Sequence, residues 1–78
     1  MAVKAYILVE VAIGRVAQVT QRIRELPNVI AADAVAGPYD VIAVVQAENA
    51  EEVGRLVMEK IHTISGVNYT LTCVAVSA

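Results

Sequence analysis

An α+β fold, a four-stranded antiparallel sheet carrying two helices on one face, is predicted for this chain by three observations. Four runs are rich in β-branched residues, two stretches between them repeat apolar residues at helical spacing, and the order is strand, helix, strand, strand, helix, strand. At 78 residues the chain makes one domain, taken as 1–78.

Residues 3–13 are a β-branched and aromatic run interrupted only by Glu10. Tyr6 and Leu8 project one way and Ile7, Val9 and Val11 the other, so this strand is apolar on both faces and belongs at the centre of the sheet. Gly14 breaks the run. Val16, Val19, Ile23 and Leu26 then recur at helical spacing opposite Arg15, Gln18, Gln21, Arg22 and Glu25, and Pro27 ends this amphipathic helix. Residues 29–36 form a weaker strand, rich in Ala and interrupted by Asp33, which suits a solvated edge. Residues 41–47 are again apolar on both faces, with Ile42 and Val44 opposed to Val41, Ala43 and Val45, and make a second central strand.

Asn49 followed by Glu52 is a capping pair in which the Glu can reach back to an orphan N–H. Val53, Leu56, Val57, Ile61 and Ile64 give the helix its buried stripe, and Gly66 stops it. Gly54, costing about 1 kcal/mol relative to Ala inside a helix, is expected to mark a close packing contact. In residues 67–76, Asn68, Thr70 and Thr72 lie on one face and Tyr69, Leu71, Cys73 and Ala75 on the other.

Right-handed crossovers of both strand-helix-strand units give the ferredoxin-like βαββαβ arrangement, with strand order four-one-three-two. Two helices cover one face of such a sheet. Hydrophobic residues make up 58% of the chain, above the roughly 45–50% of ordinary domains, so the uncovered apolar face calls for a second subunit.

A net charge of −2 and six scattered Lys and Arg provide no basic stripe, which removes the main electrostatic term for direct DNA binding. No apolar run reaches the ~18 residues of a membrane span. One Cys and no recognisable signal peptide point to a reducing cytoplasm, and neither a metal-ligand cluster nor a cofactor motif is present. His62 reads as a helix-end surface residue with no nucleophile beside it, and Cys73 as a small core residue. Glu10 is the odd carboxylate of a central strand, expected near the sheet's end or paired across a dimer.

The polar feature left is Gly37-Pro38-Tyr39-Asp40, between the second and third strands. Gly tolerates φ > 0 and Pro presets a turn, so the segment reads as a hairpin tip, and this is the one place where a backbone break, an aromatic ring and a carboxylate meet.

The pattern Ala5-Tyr6-Ile7-Leu8-Val9, Leu26-Pro27-Asn28-Val29, Gly37-Pro38-Tyr39-Asp40-Val41, Ile64-Ser65-Gly66-Val67 and Thr70-x-Thr72 resembles the effector-binding (RAM) domain of the Lrp/AsnC transcriptional regulators, over nearly the whole chain. The resemblance implies a dimeric α+β barrel in which two sheets pack face to face, further assembly into a ring of dimers, and a free amino acid bound between dimers beside the hairpin. Carried onto this sequence it places ligand-binding residues at Gly37, Pro38, Tyr39 and Asp40, with Thr70 and Thr72 from the last strand. That family's domain normally follows a helix-turn-helix, so this chain is expected to be a stand-alone member that pairs with itself or joins full-length regulators. A zwitterion needs acceptors for its ammonium group and donors for its carboxylate, roles that suit Asp40 and, for the carboxylate, backbone N–H groups and Thr hydroxyls. Pro38 departs from the family's frequent polar residue and removes one N–H donor.

Three classes of function compete at this point. They are a non-enzymatic effector-sensing and oligomerising module, a small dimeric α+β barrel enzyme, and an ACT-like amino-acid-binding domain with its ligand near Gly14. With no Trp, no Phe and one His, the enzyme lacks partners for acid-base or nucleophilic chemistry. The hairpin and the open apolar face favour the first over the third.

Overall fold

Alternating burial along Val3–Val11 defines β1, whose Ala5, Ile7, Val9 and Val11 are buried while Lys4, Tyr6 and Glu10 are exposed. In this computed structural model, which describes residues 2–76, α1 (Val16–Arg24), β2 (Val29–Ala34), β3 (Val41–Ala47), α2 (Ala50–Leu56) and β4 (Val67–Val74) follow in the predicted order. The sheet is antiparallel with spatial order β2-β3-β1-β4, so the two runs apolar on both faces are central.

The core lies between the helices and one face of this sheet. Ala5, Ile7, Val9 and Val11 of β1 and Val41, Ala43, Val45 and Ala47 of β3 meet Val19 and Ile23 of α1 and Val53 and Leu56 of α2. Fully burying a Val or Ile side chain is worth about 1.5–3 kcal/mol, so these two alternating strands supply much of what holds the domain. Thr20 is also buried, its hydroxyl donating to the Val16 carbonyl at 2.7 Å. This internal bond lets a polar residue sit on the apolar side of α1.

Helix α2 is capped as predicted at Asn49, whose Oδ1 accepts the Glu52 N–H at 2.8 Å. Glu52 reaches back one residue further than a capping box would, accepting the Glu48 N–H at 2.7 Å. After Leu56 the helix widens into a π-helical turn, Val57–Ile61, closed by the His62 N–H donating to the Val57 carbonyl at 2.8 Å. The wider turn keeps Val57, Ile61 and Ile64 all buried.

Five expectations are revised. β2 stops at Ala34, two residues short of the expected end. β1 ends at Val11 because the ladder to β4 shifts register between Glu10 and Val11, and the chain turns as Arg15 N–H reaches the Ala12 carbonyl at 3.0 Å. β4 stops at Val74. Gly54 marks no close contact within the chain, since a Cβ there would meet nothing within 4 Å. Cys73 is exposed, because its strand parity puts it opposite Tyr6 on the face without helices. That face also carries Leu8, Leu71, Ile42 and Val44, with Tyr6 38% and Leu71 39% exposed. Glu10 is exposed there too, opposite Tyr69 at the end of the β1–β4 ladder.

Gly66, like Gly14, takes a positive φ, and at +104° it also has no room for a side chain, a hypothetical Cβ lying 3.0 Å from Arg15 Cβ and 3.2 Å from Val19 Cγ2. Gly66→Ala is expected to lower unfolding stability by about 1–3 kcal/mol and Gly54→Ala to raise it by up to about 1 kcal/mol, both read from urea unfolding midpoints. A stability gain in Gly66→Ala would contradict the backbone geometry described for that turn.

Candidate functional site

The hairpin between β2 and β3 is held by β1 as much as by its own strands. Val35 N–H donates to the Asp40 carbonyl at 2.9 Å and closes the tip around Ala36, Gly37, Pro38 and Tyr39. Asp40 N–H then turns away from β2 and donates to the Val9 carbonyl at 3.0 Å, while the Val11 N–H donates to Asp40 Oδ2 at 2.8 Å. These two bonds bracket residue 10 of β1, so the tip is pinned beside the register shift at the end of that strand. Gly37 does not use positive φ, and a Cβ there would meet nothing within 4 Å. The turn therefore does not require Gly37 for the reason that its sequence alone offers.

Gly37, Pro38 and Tyr39 come together with Leu8, Val35, Ala36 and Ile42 around a hollow of about 210 Å³. Leu8 and Ile42 face each other across the β1–β3 ladder on the face that lacks helices, so the hollow is the hairpin end of that apolar face. No charged side chain lines it. The N–H groups of Ala36, Gly37 and Tyr39 have no hydrogen-bond partner among the described residues.

Thr70 and Thr72 stand elsewhere. They pair with Val9 and Ile7, buried residues of β1, and so belong to the helix-bearing face, two strands across from the hairpin. Thr70 lines a second hollow of about 240 Å³ with His62, Val67, Asn68 and Tyr69, and its Oγ1 shares a hydrogen bond of 2.7 Å with His62 Nε2. The π-helical turn presents His62 at this point by placing it just after the buried Ile61. Of the six predicted residues, a single chain brings Gly37, Pro38 and Tyr39 to the hairpin hollow, turns the Asp40 carboxylate onto β1, and holds Thr70 and Thr72 apart on β4. Leu8 and Ile42 were within reach of sequence reasoning through strand parity, whereas the His62–Thr70 contact had no signal in the sequence.

A further surface hollow, about 440 Å³, is lined by Asn28, Ile30, Gln46, Glu48, Glu52 and neighbours and contains none of the predicted residues. Among the described residues no cluster of His, Cys, Asp and Glu side chains is placed to hold a metal ion, and no helix is long and apolar enough to cross a membrane.

Comparison with known proteins adds to this geometry. Residues 4–78 match the family model for the Lrp/AsnC ligand binding domain. The chain is 43% identical over 58 residues to an uncharacterized HTH-type transcriptional regulator of Pyrococcus furiosus, a stretch that spans 74% of this chain and 39% of that regulator. The crystal structure of TTHA0845 from Thermus thermophilus matches with a TM-score of 0.92 at 34% identity, covering 97% of this chain and 95% of that one. The Neisseria meningitidis transcriptional regulator NMB0573, solved as an L-Met complex, matches with a TM-score of 0.84 over 96% of this chain and 50% of that one, and at 17% identity the likeness is one of fold. With nearly its whole length matched, the chain belongs to the Lrp/AsnC ligand-binding domain family.

Proposed function

We propose that this chain is an amino-acid-sensing and oligomerising module of the Lrp/AsnC type, acting in the cytoplasm without catalysis or direct DNA contact of its own. The observation that carries the reading is the apolar face of the sheet opposite the helices. Tyr6, Leu8, Ile42, Val44, Leu71 and Cys73 lie there on three adjacent strands with no helix over them. A contiguous apolar surface of this kind is the usual mark of an interaction site, and a second copy packing sheet against sheet covers it symmetrically.

In this reading the dimers assemble further, into a ring, and the amino acid sits where the hairpin of one dimer meets a neighbour. Such an arrangement supports a site built from Gly37, Pro38, Tyr39 and Asp40 of one subunit with Thr70 and Thr72 of another, which a single chain holds apart. The L-Met complex of the Neisseria regulator supports a free amino acid as the effector class. The match to TTHA0845 over 95% of that chain supports a single-domain module, which would act through itself or by joining full-length Lrp/AsnC regulators in mixed assemblies.

Light scattering at micromolar concentration is expected to give a dimer or larger, and Val44→Asp, central on the apolar face, to shift it toward monomer with unchanged far-UV circular dichroism. A monomeric parent protein would overturn the reading. A thermal-shift panel of the twenty amino acids tests the site, since ligand at about 100 times Kd stabilises by about 2.7 kcal/mol. Gly37→Ala is expected to leave unliganded stability within about 0.5 kcal/mol, because the chain has room for the methyl group, and to weaken the amino-acid response where ligand and neighbour approach the tip.

A further inference from the structure

The polar side of α1 has no part in the hairpin reading, and it encloses a hollow of about 210 Å³ against the turn that precedes β4. Arg15, Gln18, Gln21 and Arg22 of the helix and Ser65 of the turn form its walls, over Ile64. Arg15, Gln18 and Arg22 recur at helical spacing, i, i+3 and i+7, so their side chains fall on one stripe. The walls stand close because Gly66 has no side chain. A Cβ there would lie 3.0 Å from Arg15 Cβ and 3.3 Å from Arg15 Cγ, so the stem of Arg15 is laid against the turn, and its Nη1 donates to Ser65 Oγ at 3.3 Å.

Charge is unbalanced in this hollow. Of the four arginines in the chain, Arg24 pairs with Asp33 at 3.6 Å and Arg55 with Glu51 at 4.0 Å. Arg15 and Arg22 have no carboxylate within 4.0 Å among the described residues, and both line the same hollow, which contains no acid. Glu25, outside the lining, accepts from Gln21 Nε2 at 3.4 Å. A chain of net charge −2 thus gathers two uncompensated guanidinium groups, two amides and a hydroxyl around one concavity.

We propose that this hollow binds a small phosphate-bearing anion, inorganic phosphate or a phosphate monoester. Guanidinium forks match phosphate oxygens in pairs, and two of them balance a charge of about −1.5 to −2. The Gln amides and the Ser65 hydroxyl supply further donors for the remaining oxygens. A carboxylate has one charge and two oxygens, and it leaves part of this donor set unmatched. Ile64 gives a small organic group on the phosphate an apolar floor. Two arginines are too few for the stripe that a nucleic-acid backbone requires, which confines the ligand to a small molecule. The site lies on the helix-bearing side, so subunits packed sheet against sheet leave it open.

The test is isothermal calorimetry of the intact protein at fixed ionic strength with sodium phosphate, glycerol phosphate, sodium acetate and sodium succinate. Phosphate is expected to bind with a Kd of about 1 mM or tighter, at least about tenfold more tightly than acetate or succinate. Whichever of the two phosphate compounds binds more tightly identifies the source, free phosphate or an ester whose organic group packs on Ile64. Arg15→Gln and Arg22→Gln, both at exposed positions and keeping the start of the aliphatic stem, are each expected to retain the parent's far-UV circular dichroism. Each is expected to weaken phosphate by about tenfold or more, while Arg55→Gln on α2 stays within about twofold. Succinate binding as tightly as phosphate would overturn the assignment to phosphate. Absence of binding at about 10 mM phosphate, or a loss in Arg55→Gln equal to that of the α1 variants, would overturn the site itself.

Discussion

The hairpin and the last strand are both attached to β1. Its hydrogen-bonding edges are taken by β3 on one side and β4 on the other, its helix-side residues are buried as deeply as those of β3, and its carbonyl at Val9 and N–H at Val11 hold the Asp40 end of the hairpin. Just beyond it, the Ala12 N–H donates to the Gly66 carbonyl at 2.8 Å, tying the end of β1 to the turn that launches β4. The hairpin and the β4 threonines are therefore positioned by the same nine residues, although they occupy opposite faces of the sheet. A disturbance at the Glu10–Val11 register shift would be felt at both.

The second constraint is that the two edges of the sheet are finished differently. At β2 the Arg24 Nε–H donates to the Ala32 carbonyl at 2.7 Å, Arg24 lies 3.6 Å from Asp33, and the register shift between Val29 and Ala31 leaves Ile30 unpaired. Side-chain donors, charge and a bulge are how natural sheets discourage further pairing. At β4 the eight residues Val67–Val74 carry no charge and no Pro. The edge left without such protection adjoins the apolar face that runs from Leu71 and Cys73 through Tyr6 and Leu8 to Ile42 and Val44.

Much of the fold was legible because its signals are local. The β-branched, doubly apolar run of residues 41–47, the stripe from Val53 to Ile64, and Asn49 with Glu52 each report a conformation through neighbours within a few positions, and each is found in place. The central position of the two doubly apolar strands followed from chirality and connection rules acting on those elements. What was hidden depends on distant contacts or on sub-residue geometry. Asp40 meets Val11 only after β3 has been laid beside β1, and His62 meets Thr70 only because the end of α2 widens into a π-turn. Gly37 illustrates a different limit, since glycine in a hairpin invites a positive φ that the six-residue closure from Val35 to Asp40 does not need. The hairpin stands out in the sequence as a polar break between apolar runs, but its carboxylate faces the scaffold and its hollow is apolar.

That reversal bears on how such a module could signal. If the effector site is completed by a neighbouring subunit, ligand binding and assembly are linked equilibria, and the ligand strengthens association by the factor that association strengthens ligand binding. A hairpin held by a charged contact to a ligand would move when the ligand leaves. One held by Asp40 on β1 has a hold independent of any ligand, so less of a binding free energy would be spent on ordering the loop. The stiff Pro38 acts in the same direction, reducing the freedom the tip would lose on docking at the expense of a single N–H donor. The coupling then resides in the contact between subunits, with the hairpin as a preformed half of it.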